Sequence, residues 1–447
     1  TGEVIPEEAY IAVTPQSIEH ILLQDSTDQV ELEITNSGNA ALNWTASIED
    51  VRRETTTALT PRPRVTAELR SERESRPGME KFRQSRPEES VRESSLLRAR
   101  NVLLTLDPDN GMVVADSTMF CYLYIDATGS LSGTYEYQIV ISSNAVNEPE
   151  LIIPVSITVE GTPALIPDDN FRMAINYALG QGAGYQPSIQ DLESLSGNLD
   201  ADEYGISSIE GAQYLSNIYG LMLGYNQISD LSPLSNLSNL QGLILYNNQI
   251  SDLSPLANLN YLEYMWLDNN QISDISPLAN LSNLYYLDLD SNQISNLSPL
   301  ANLSNLEELS LWDNQISDLS PLANLSNLEL LQLGSNQISD ISPLANLNYL
   351  EYMWLDNNQI SDISPLANLS NLYWLYLSYN QISDLSPLLN LSNLHYLDLG
   401  YNQISDLSPL ANLSNLSYLH LYYNQISDIS PLANMSNLQY LNLDSNQ

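Results

Sequence analysis

Cysteine and histidine are scarce in this chain of 447 residues. Cys121 is its only cysteine, and its histidines are His20, His395 and His420. A single cysteine excludes an intrachain disulfide framework and a cysteine-based zinc site, and three scattered histidines offer little for a metal cluster. Cys121 is in phase with the inward-facing residues of a predicted strand, so we expect a core residue and not a nucleophile.

Basic residues are almost as rare and are confined to one stretch. The chain has 14 Lys and Arg against 55 Asp and Glu, a net charge of −41. Residues 51–100 hold 13 of those basic residues and 8 acidic ones, and no Lys or Arg follows Arg172. This balance excludes nucleic acid as a partner, because binding a polyanion requires basic residues, and it argues against docking on an anionic membrane surface.

Long apolar runs and catalytic motifs are also missing. No apolar run reaches the roughly 18 residues of a membrane helix, so we predict no membrane insertion. The sequence contains no G-x-S-x-G, H-E-x-x-H or P-loop, and His395 and His420 have no partner at a catalytic spacing. We therefore predict a protein that is not an enzyme and that carries no cofactor and no metal.

A repeat of 22 residues fills the second half of the chain. Its unit reads N-Q-I-S-D-L-S-P-L-A-N-L-S-N-L-x-x-L-x-L-x-x, and its first Asn recurs in one register from Asn226 to Asn446. Within it, L-x-x-L-x-L-x-x-N is the leucine-rich repeat signature. One coil cannot bury its leucines alone, but stacked coils can, so stability depends on neighbouring repeats.

The spacing within the unit predicts local structure. L-x-L alternates, so it predicts a short strand with its leucines inward, and about eleven such strands pair in parallel. The repeated Asn can satisfy backbone groups of adjacent coils. Ser-Pro-Leu predicts a short helical or 3-10 turn on the convex side, in which Ser232 caps and Pro233 has its φ preset.

These repeats resemble the internalin class of bacterial leucine-rich repeats. The resemblance extends upstream, where Ile166–Arg172 and Ala174–Gly180 look like the helical N-terminal cap of that class and Gly205–Gly211 looks like its first, irregular repeat. It implies a cap at 162–203 and repeats at 204–447, truncated at the C-terminus because the C-terminal cap of the class is missing. In the cap we expect Asp168 or Asp169 to begin a helix that Gly180 ends.

In residues 1–161, apolar and polar residues alternate with period two between turn signals. This pattern predicts an N-terminal all-β sandwich ahead of the leucine-rich-repeat solenoid. The segments Ile34–Trp44 and Gly133–Asn144 resemble Ig-like modules of secreted bacterial proteins. Pro154 lies on the outward phase of its run, which predicts an edge strand. Residues 51–100 interrupt the alternation, and we interpret them as a disordered basic insertion, either a docking arm for an acidic surface or a tolerated insertion.

The candidate ligand site is the concave face of the array. Positions three, five, seven and eight of the signature point to that face, and aromatic and acidic residues recur there although the leucines already fill the core. We predict exposed rings that bind a protein with a neutral or basic surface, with carbohydrate as an alternative. The competing explanation is that these aromatic rings only stack on their neighbours in adjacent strands and stabilise the sheet. The predicted site consists of Tyr264, Trp266, Tyr286, Asp288, Trp312, Tyr352, Trp354, Asp356, Trp374, Tyr376, Tyr396, Asp398 and Tyr418.

A second column of acids follows the repeat, one per coil from Asp230 to Asp428, with Asn296 in place of one Asp. Calcium binding is one interpretation of it. Capping of the following helical turn is the one we favour.

The resemblance to internalins implies adhesion and protein ligands. We therefore predict a secreted or cell-surface bacterial recognition protein. The alternatives are a structural stalk without a specific ligand, and the targeting region of a larger secreted enzyme.

Overall fold

The computed structural model describes residues 7–24, 26–50, 102–128, 130–131 and 133–447. The predicted basic insertion at 51–100 lies outside the described residues. Contacts divide the described chain into two units, of which the first contains 7–50, 102–165 and 175–195 and the second contains 166–174 and 196–447. No described helix is long and apolar enough to span a membrane.

The first unit is built from two sheets that share one apolar core. One sheet has the order β1-β3-β7-β5 and the other β2-β9-β8-β4-β6. Leu32 and Ile34 from the first sheet and Trp44 and Ile139 from the second are buried in the same cluster, as is Cys121. The predicted alternation is confirmed at these strands, whereas the Ig-like assignment stays a prediction. The strands are β1 Ile11–Thr14, β2 Ile18–Leu23, β3 Thr27–Asn36, β4 Leu42–Asp50, β5 Leu103–Asp107, β6 Asn110–Val113, β7 Ser117–Asp126, β8 Gly133–Ser143 and β9 Glu150–Glu160.

Strand β9 is not an edge strand, so the prediction from Pro154 is wrong for the strand as a whole. It lies between β8, which pairs along almost its full length, and β2, which pairs only from Val155 onward. Pro154 is therefore the last residue of β9 before pairing with β2 begins. The missing N–H is tolerated because on that side no ladder bond is required at this position.

Two α-helices lie between the β region and the repeats, α1 at Asp169–Ala178 and α2 at Ile189–Ser194. Asp168 caps α1, because its Oδ1 accepts from the backbone N–H groups of Asn170 at 2.9 Å and Phe171 at 3.0 Å. Gly180 follows the helix with a φ of 71°, the left-handed conformation that favours glycine. The helix and its cap are as predicted from the residues, and the role of this segment in capping the array stays a prediction.

The Asp168 carboxylate also joins α1 to the start of the repeats. Its Oδ2 accepts from the backbone N–H groups of Ser207 at 2.8 Å and Ser208 at 3.1 Å. Burial raises the pKa of Asp168, but hydrogen bonds from the backbone N–H groups of Ser207, Phe171 and Ser208 and from the Ser207 hydroxyl together outweigh it, so the pKa lies below its ordinary value. One carboxylate thus satisfies N–H groups of two segments.

The repeats form a parallel sheet of twelve strands, one more than expected. The extra strand, β10, lies within 162–203, where the sequence pattern predicts only the helical cap. From β11 onward the register is one repeat, so that Gly242 pairs with Tyr264 and Tyr264 with Tyr286. The strands are β10 Gly197–Asp200, β11 Ile218–Met222, β12 Gly242–Ile244, β13 Tyr264–Trp266, β14 Tyr286–Asp288, β15 Glu308–Ser310, β16 Leu330–Gln332, β17 Tyr352–Trp354, β18 Trp374–Tyr376, β19 Tyr396–Asp398, β20 Tyr418–His420 and β21 Tyr440–Asn442.

The repeated Asn connects adjacent coils, as predicted. Asn314 donates from Nδ2 to the carbonyl oxygens of Leu289 in the preceding coil and Leu311 in its own, and its Oδ1 accepts from the N–H of Ile294 at 2.9 Å. Because the side chain is 8% exposed, these bonds satisfy backbone groups that water does not reach.

Short 3-10 helices alternate with the strands along the repeats, and all but the first of them have proline in the first turn. Ser232 does not cap its turn, contrary to the prediction, because Leu231 holds the cap position. Asp230 performs this role instead, accepting from the N–H of Ser232 at 2.8 Å. The 3-10 helices are Ala212–Tyr214, Ser232–Leu234, Ser254–Leu256, Ser276–Asn280, Ser298–Leu300, Ser320–Asn324, Ser342–Leu344, Ser364–Asn368, Ser386–Asn390, Ser408–Asn412 and Ser430–Leu432.

Candidate functional site

The candidate site lies on the outward side of the twelve-stranded sheet, here called the sheet face. The middle residue of each three-residue strand from β12 to β20, such as Leu375, is buried in the interior. The first and third residues therefore point to the opposite side, since side chains alternate along a strand. The residue two positions beyond each strand, such as Asp356 after β17, has the same outward phase.

The structure divides the predicted site residues by exposure. Trp312, Trp374 and Tyr418 are exposed, at 39%, 37% and 39%. Six are intermediate: Tyr264, Tyr352, Trp354, Asp356, Tyr376 and Tyr396. Four are buried: Trp266, Tyr286, Asp288 and Asp398.

The expected exposure of Trp266 and Tyr286 is wrong. The two rings lie 4.7 Å apart, and Trp266 also stacks on Tyr264 with a centroid separation of 6.3 Å. Ile244 and Tyr246 of the preceding repeat belong to the same buried set, which we call the N-terminal aromatic cluster. These outward-facing side chains bury one another, because large apolar groups occupy several neighbouring outward positions.

The exposed and partly exposed rings of strands β17–β21 form a second set, here called the C-terminal aromatic cluster. It consists of Tyr352, Trp354, Trp374, Tyr376, Tyr396, Tyr418, His420 and Tyr440 on strands β17–β21. Trp354 stacks on Tyr376 at 5.4 Å, and Tyr376 stacks on Tyr396 at 4.6 Å. Each ring has a neighbour one repeat away, so the cluster is a continuous surface that is ordered before any ligand arrives.

Sequence reasoning missed a column of tyrosines beside this cluster. Tyr379, Tyr401 and Tyr423 stack at 4.1 and 4.2 Å, with Tyr379 and Tyr423 each 49% exposed. All three have a positive φ, a conformation that costs a non-glycine residue about 1–2 kcal/mol. We call them the tyrosine stack. They occupy the eighth position of the signature, so a tabulation of that position finds them.

Glycine makes room for a ring at one edge of the sheet face. A Cβ on Gly400 would lie within 2.3 Å of the ring of Tyr422 in the next repeat. Gly224 has the same relationship with Tyr246, where the separation would be 2.6 Å. These glycines permit the close approach of an aromatic side chain one repeat later.

Two carboxyl groups lie among the exposed rings. Burial raises the pKa of Asp398, against the opposing effects of a hydrogen bond from the N–H of Gly400 and of nearby His420. Burial also raises the pKa of Asp356, with Asp398 adding to the rise. No Lys or Arg follows Arg172, so the array supplies no lysine or arginine to balance these acids.

A polar groove of about 690 Å³ runs beside the N-terminal ends of strands β17–β21. One set of its lining residues is a column of asparagines at 22-residue intervals. The other set precedes each strand by one residue and includes Tyr373 and His395. The asparagines of the column are Asn371, Asn393, Asn415 and Asn437.

The acidic column is used in hydrogen bonding at the 3-10 turns. Asp362 Oδ1 accepts from the N–H of Ser364 at 2.8 Å, and Asn296 makes the equivalent bond with Ser298 at 3.0 Å. The backbone bond from Ser364 lowers the pKa of Asp362. Capping, the interpretation we favoured, therefore describes the contacts of this column. Within the described residues, no group of three or more acidic, His or Cys side chains could hold a metal ion.

Cys121 has the environment of a core residue. It is 1% exposed, and its Sγ donates to the carbonyl oxygen of Pro108 at 3.0 Å. Burial raises the pKa of the thiol to about 11. A thiol that is protonated at neutral pH is a poor nucleophile, which agrees with the prediction of a structural role.

Comparison with known proteins gives the family. The family described as Leucine Rich repeats (2 copies) matches residues 220–258, 262–302, 304–346, 374–412 and 414–447. No curated protein sequence matches the chain. The crystal structure of an internalin (inlF) from Listeria monocytogenes matches this chain with 42% sequence identity and a TM-score of 0.62. The match covers 64% of this chain and 85% of the internalin chain.

More distant structures share the fold alone. The functional domain of InlJ from Listeria monocytogenes is 21% identical over 64% of this chain and 72% of its own, with a TM-score of 0.53, and it includes a cysteine ladder. The present repeats contain no cysteine. The plant peptide hormone receptor RGFR1, solved in complex with RGF2, is 21% identical over 58% of this chain and 49% of its own, with a TM-score of 0.50. On the repeat match and the 42% identity, the chain belongs to the internalin-like leucine-rich repeat proteins.

Proposed function

We propose that this chain is a secreted or cell-surface bacterial recognition protein that binds a protein partner through the C-terminal aromatic cluster. The first unit, interpreted as an Ig-like module, acts as a spacer or a second contact. The observation that carries the proposal is the exposure of Trp374 and Tyr418 on a sheet whose interior is already filled by leucine. Clustered exposed aromatics of this kind are typical of the centre of a protein interface.

The tyrosine stack supports recognition over scaffolding. In seven other repeats the position of Tyr401 holds Asn, Ser or Asp with the same positive φ. Asn and Asp, which hold four of these positions, tolerate the left-handed conformation better than tyrosine does. The fold therefore does not require rings there, and three consecutive tyrosines add contact area beside the C-terminal aromatic cluster.

The electrostatics favour a neutral or basic partner. Asp356 and Asp398 lie among the rings, and the array has no Lys or Arg after Arg172. Exposed ion pairs contribute little free energy and are screened by salt. We therefore expect the rings to supply most of the affinity and the acids to supply selectivity.

The cluster has the size of the centre of an interface. Strands β17–β21 span about 20 Å across the sheet at a spacing of about 4.8 Å per strand. A standard interface buries about 800 Å² per partner, so its outer contacts would come from the tyrosine stack and the neighbouring repeats.

The test begins with a panel of purified extracellular protein domains, screened with the full chain and measured by surface plasmon resonance. Trp374→Ala and Tyr418→Ala, singly and together, are then compared on each protein that binds. Losses of at least tenfold are expected, since central aromatic residues each contribute about 2 kcal/mol or more. Tyr261→Ala is the control, because Tyr261 is 61% exposed and lies outside the strands.

Two results would contradict the proposal. If the double variant binds every partner as the unchanged protein does, the cluster is not the site. If no domain of the panel binds and the rings remain accessible in solution, the array is a stalk that has no protein ligand.

A further inference from the structure

The polar groove beside β17–β21 uses side chains other than those of the C-terminal aromatic cluster, apart from Tyr352. Its volume of about 690 Å³ is in the range of ligand sites. Most such sites are lined by apolar groups, whereas this one is lined mainly by amides and hydroxyls. A ligand that fits it must therefore form many hydrogen bonds.

The asparagine column presents its amides in a fixed orientation. Each donates from Nδ2 to a backbone carbonyl oxygen 23 residues earlier, as Asn393 does to Ser370 and Asn415 to Ser392, both at 2.8 Å. Asn371 and Asn437 make the same bond at 2.8 Å. Within the described part of the chain, these bonds leave the Oδ1 and one N–H of each side chain available to a ligand. Every asparagine of the column therefore offers one acceptor and one donor.

Aromatic rings lie on the other side of the groove. Tyr373 is 39% exposed, and its ring lies 5.0 Å from that of His395. His395 in turn meets the ring of Tyr418 edge-on at 6.0 Å. An aromatic face carries partial negative charge and attracts the weakly positive C–H groups of a sugar ring, while the amides opposite bind hydroxyl groups.

The spacing of the asparagine amides fits a glycan ligand better than a peptide ligand. The amides recur once per coil, at about 4.8 Å, whereas an extended peptide rises about 3.3 Å per residue and loses register after two rungs. A linear chain of sugar rings has a longer unit, and each unit carries hydroxyl groups. Glu351 lines the groove and no Lys or Arg follows Arg172, so an anionic glycan is disfavoured.

We propose that this groove binds a neutral, extended oligosaccharide, with Tyr373 and His395 against the sugar rings and the asparagine column against their hydroxyl groups. The groove adjoins the proposed protein interface, because Tyr352 belongs to both and the ring of Tyr373 lies 6.5 Å from that of Trp374. The two proposals can fail separately, because Tyr373→Ala is measured with oligosaccharides and Trp374→Ala is measured with protein partners.

The probes are cellohexaose, chitohexaose and mannohexaose, with a heparin hexasaccharide as the anionic comparison, each titrated calorimetrically into the full chain. At least one neutral probe is expected to bind and heparin is not. Tyr373→Ala is expected to weaken binding roughly tenfold, the loss of one ring contact, and Tyr373→Phe to retain it. Tyr285→Ala is the matched control, because Tyr285 holds the same repeat position four repeats earlier.

The proposal is wrong if none of the three neutral probes binds, or if heparin binds as well as they do. It is also wrong if Tyr373→Ala binds as the unchanged protein does. Thermal unfolding of each variant separates loss of the site from loss of the fold, and an unchanged midpoint is required before a binding loss is attributed to the groove.

Discussion

Trp266 and Trp354 stand in identical 24-residue segments, 261–284 and 349–372, yet Trp266 is fully buried and Trp354 is partly exposed. Local sequence cannot cause this difference. The neighbouring repeats cause it, because Trp266 has Ile244 and Tyr246 before it, whereas Trp354 follows the repeat that contains Gln332 and Gly334.

This pair gives a prediction for stability. Trp266→Ala removes a fully buried ring, and we expect a loss of about 3–5 kcal/mol in the free energy of unfolding. Trp354→Ala removes a ring that is already partly in water, and we expect a loss of about 1 kcal/mol. Denaturant titration of both variants measures the difference. Equal losses would show that the two rings are equally buried in solution.

The asparagines give a second prediction. Asn314→Ala removes several bonds to buried backbone groups, and each unsatisfied group costs about 1–3 kcal/mol. We expect a large drop in the unfolding midpoint. Asn327→Ala is the control, since Asn327 is exposed and makes one bond, to the carbonyl oxygen of Ser304 at 2.9 Å. If both variants unfold at the same midpoint, the buried Asn does not hold the coils together.

A third prediction concerns the acidic column. Asp362→Ala removes the hydrogen bond at the start of the 3-10 turn and should lower the unfolding midpoint. Asp362→Asn should be nearly neutral without added calcium, because Asn296 already makes the equivalent bond in its own repeat. Thermal unfolding with and without calcium chloride distinguishes the interpretations. Stabilisation by calcium that Asp362→Asn weakens would favour a metal site over capping.

The fourth prediction is a pH dependence. The pKa of Asp398 is raised in the folded state, so the folded protein binds a proton more readily than the unfolded chain does. The contribution of Asp398 to stability is therefore fully present below the ordinary value of 3.8 and is lost as the pH rises through the folded pKa. Asp398→Asn lacks this contribution.

Comparing the unchanged protein with Asp398→Asn isolates the effect of the Asp398 carboxyl group. Carboxylates such as Asp362 have a lowered pKa and change stability in the opposite sense, but they are common to both proteins. The free energy of unfolding of the unchanged protein, minus that of Asp398→Asn, should rise as the pH falls from 7 toward 4. A difference that stays constant over this range would show that Asp398 is not buried.

The repeat itself made much of the fold predictable. A strict 22-residue period fixes the strand register, and L-x-L places residues such as Leu287 inside. The bonds of Asn314 and the capping by Asp168 also follow from local chemistry that the sequence displays. These features depend on residues within one repeat or one turn, which is why a single sequence suffices to predict them.

The remaining features depend on neighbours that a repeat consensus does not specify. The burial of Trp266 is set by side chains one repeat away on either side. Strand β10 has Leu199 in register with Leu221 but Ala201 in place of the second leucine, so the repeat consensus does not identify it. The sequence around Pro154 is also insufficient, because a proline is accepted there only since the pairing of β9 with β2 begins one residue later.

Hydroxyl-radical footprinting of the full chain, alone and with a partner from the ectodomain panel, tests the central claim most directly. In the free protein we expect rapid oxidation of Trp374 and Tyr418 and slow oxidation of Trp266 and Tyr286. The partner should protect Trp374 and Tyr418 and leave Tyr261 unchanged. Slow oxidation of Trp374 in the free protein, or labelling of Trp374 that a bound partner does not alter, would contradict recognition through the C-terminal aromatic cluster.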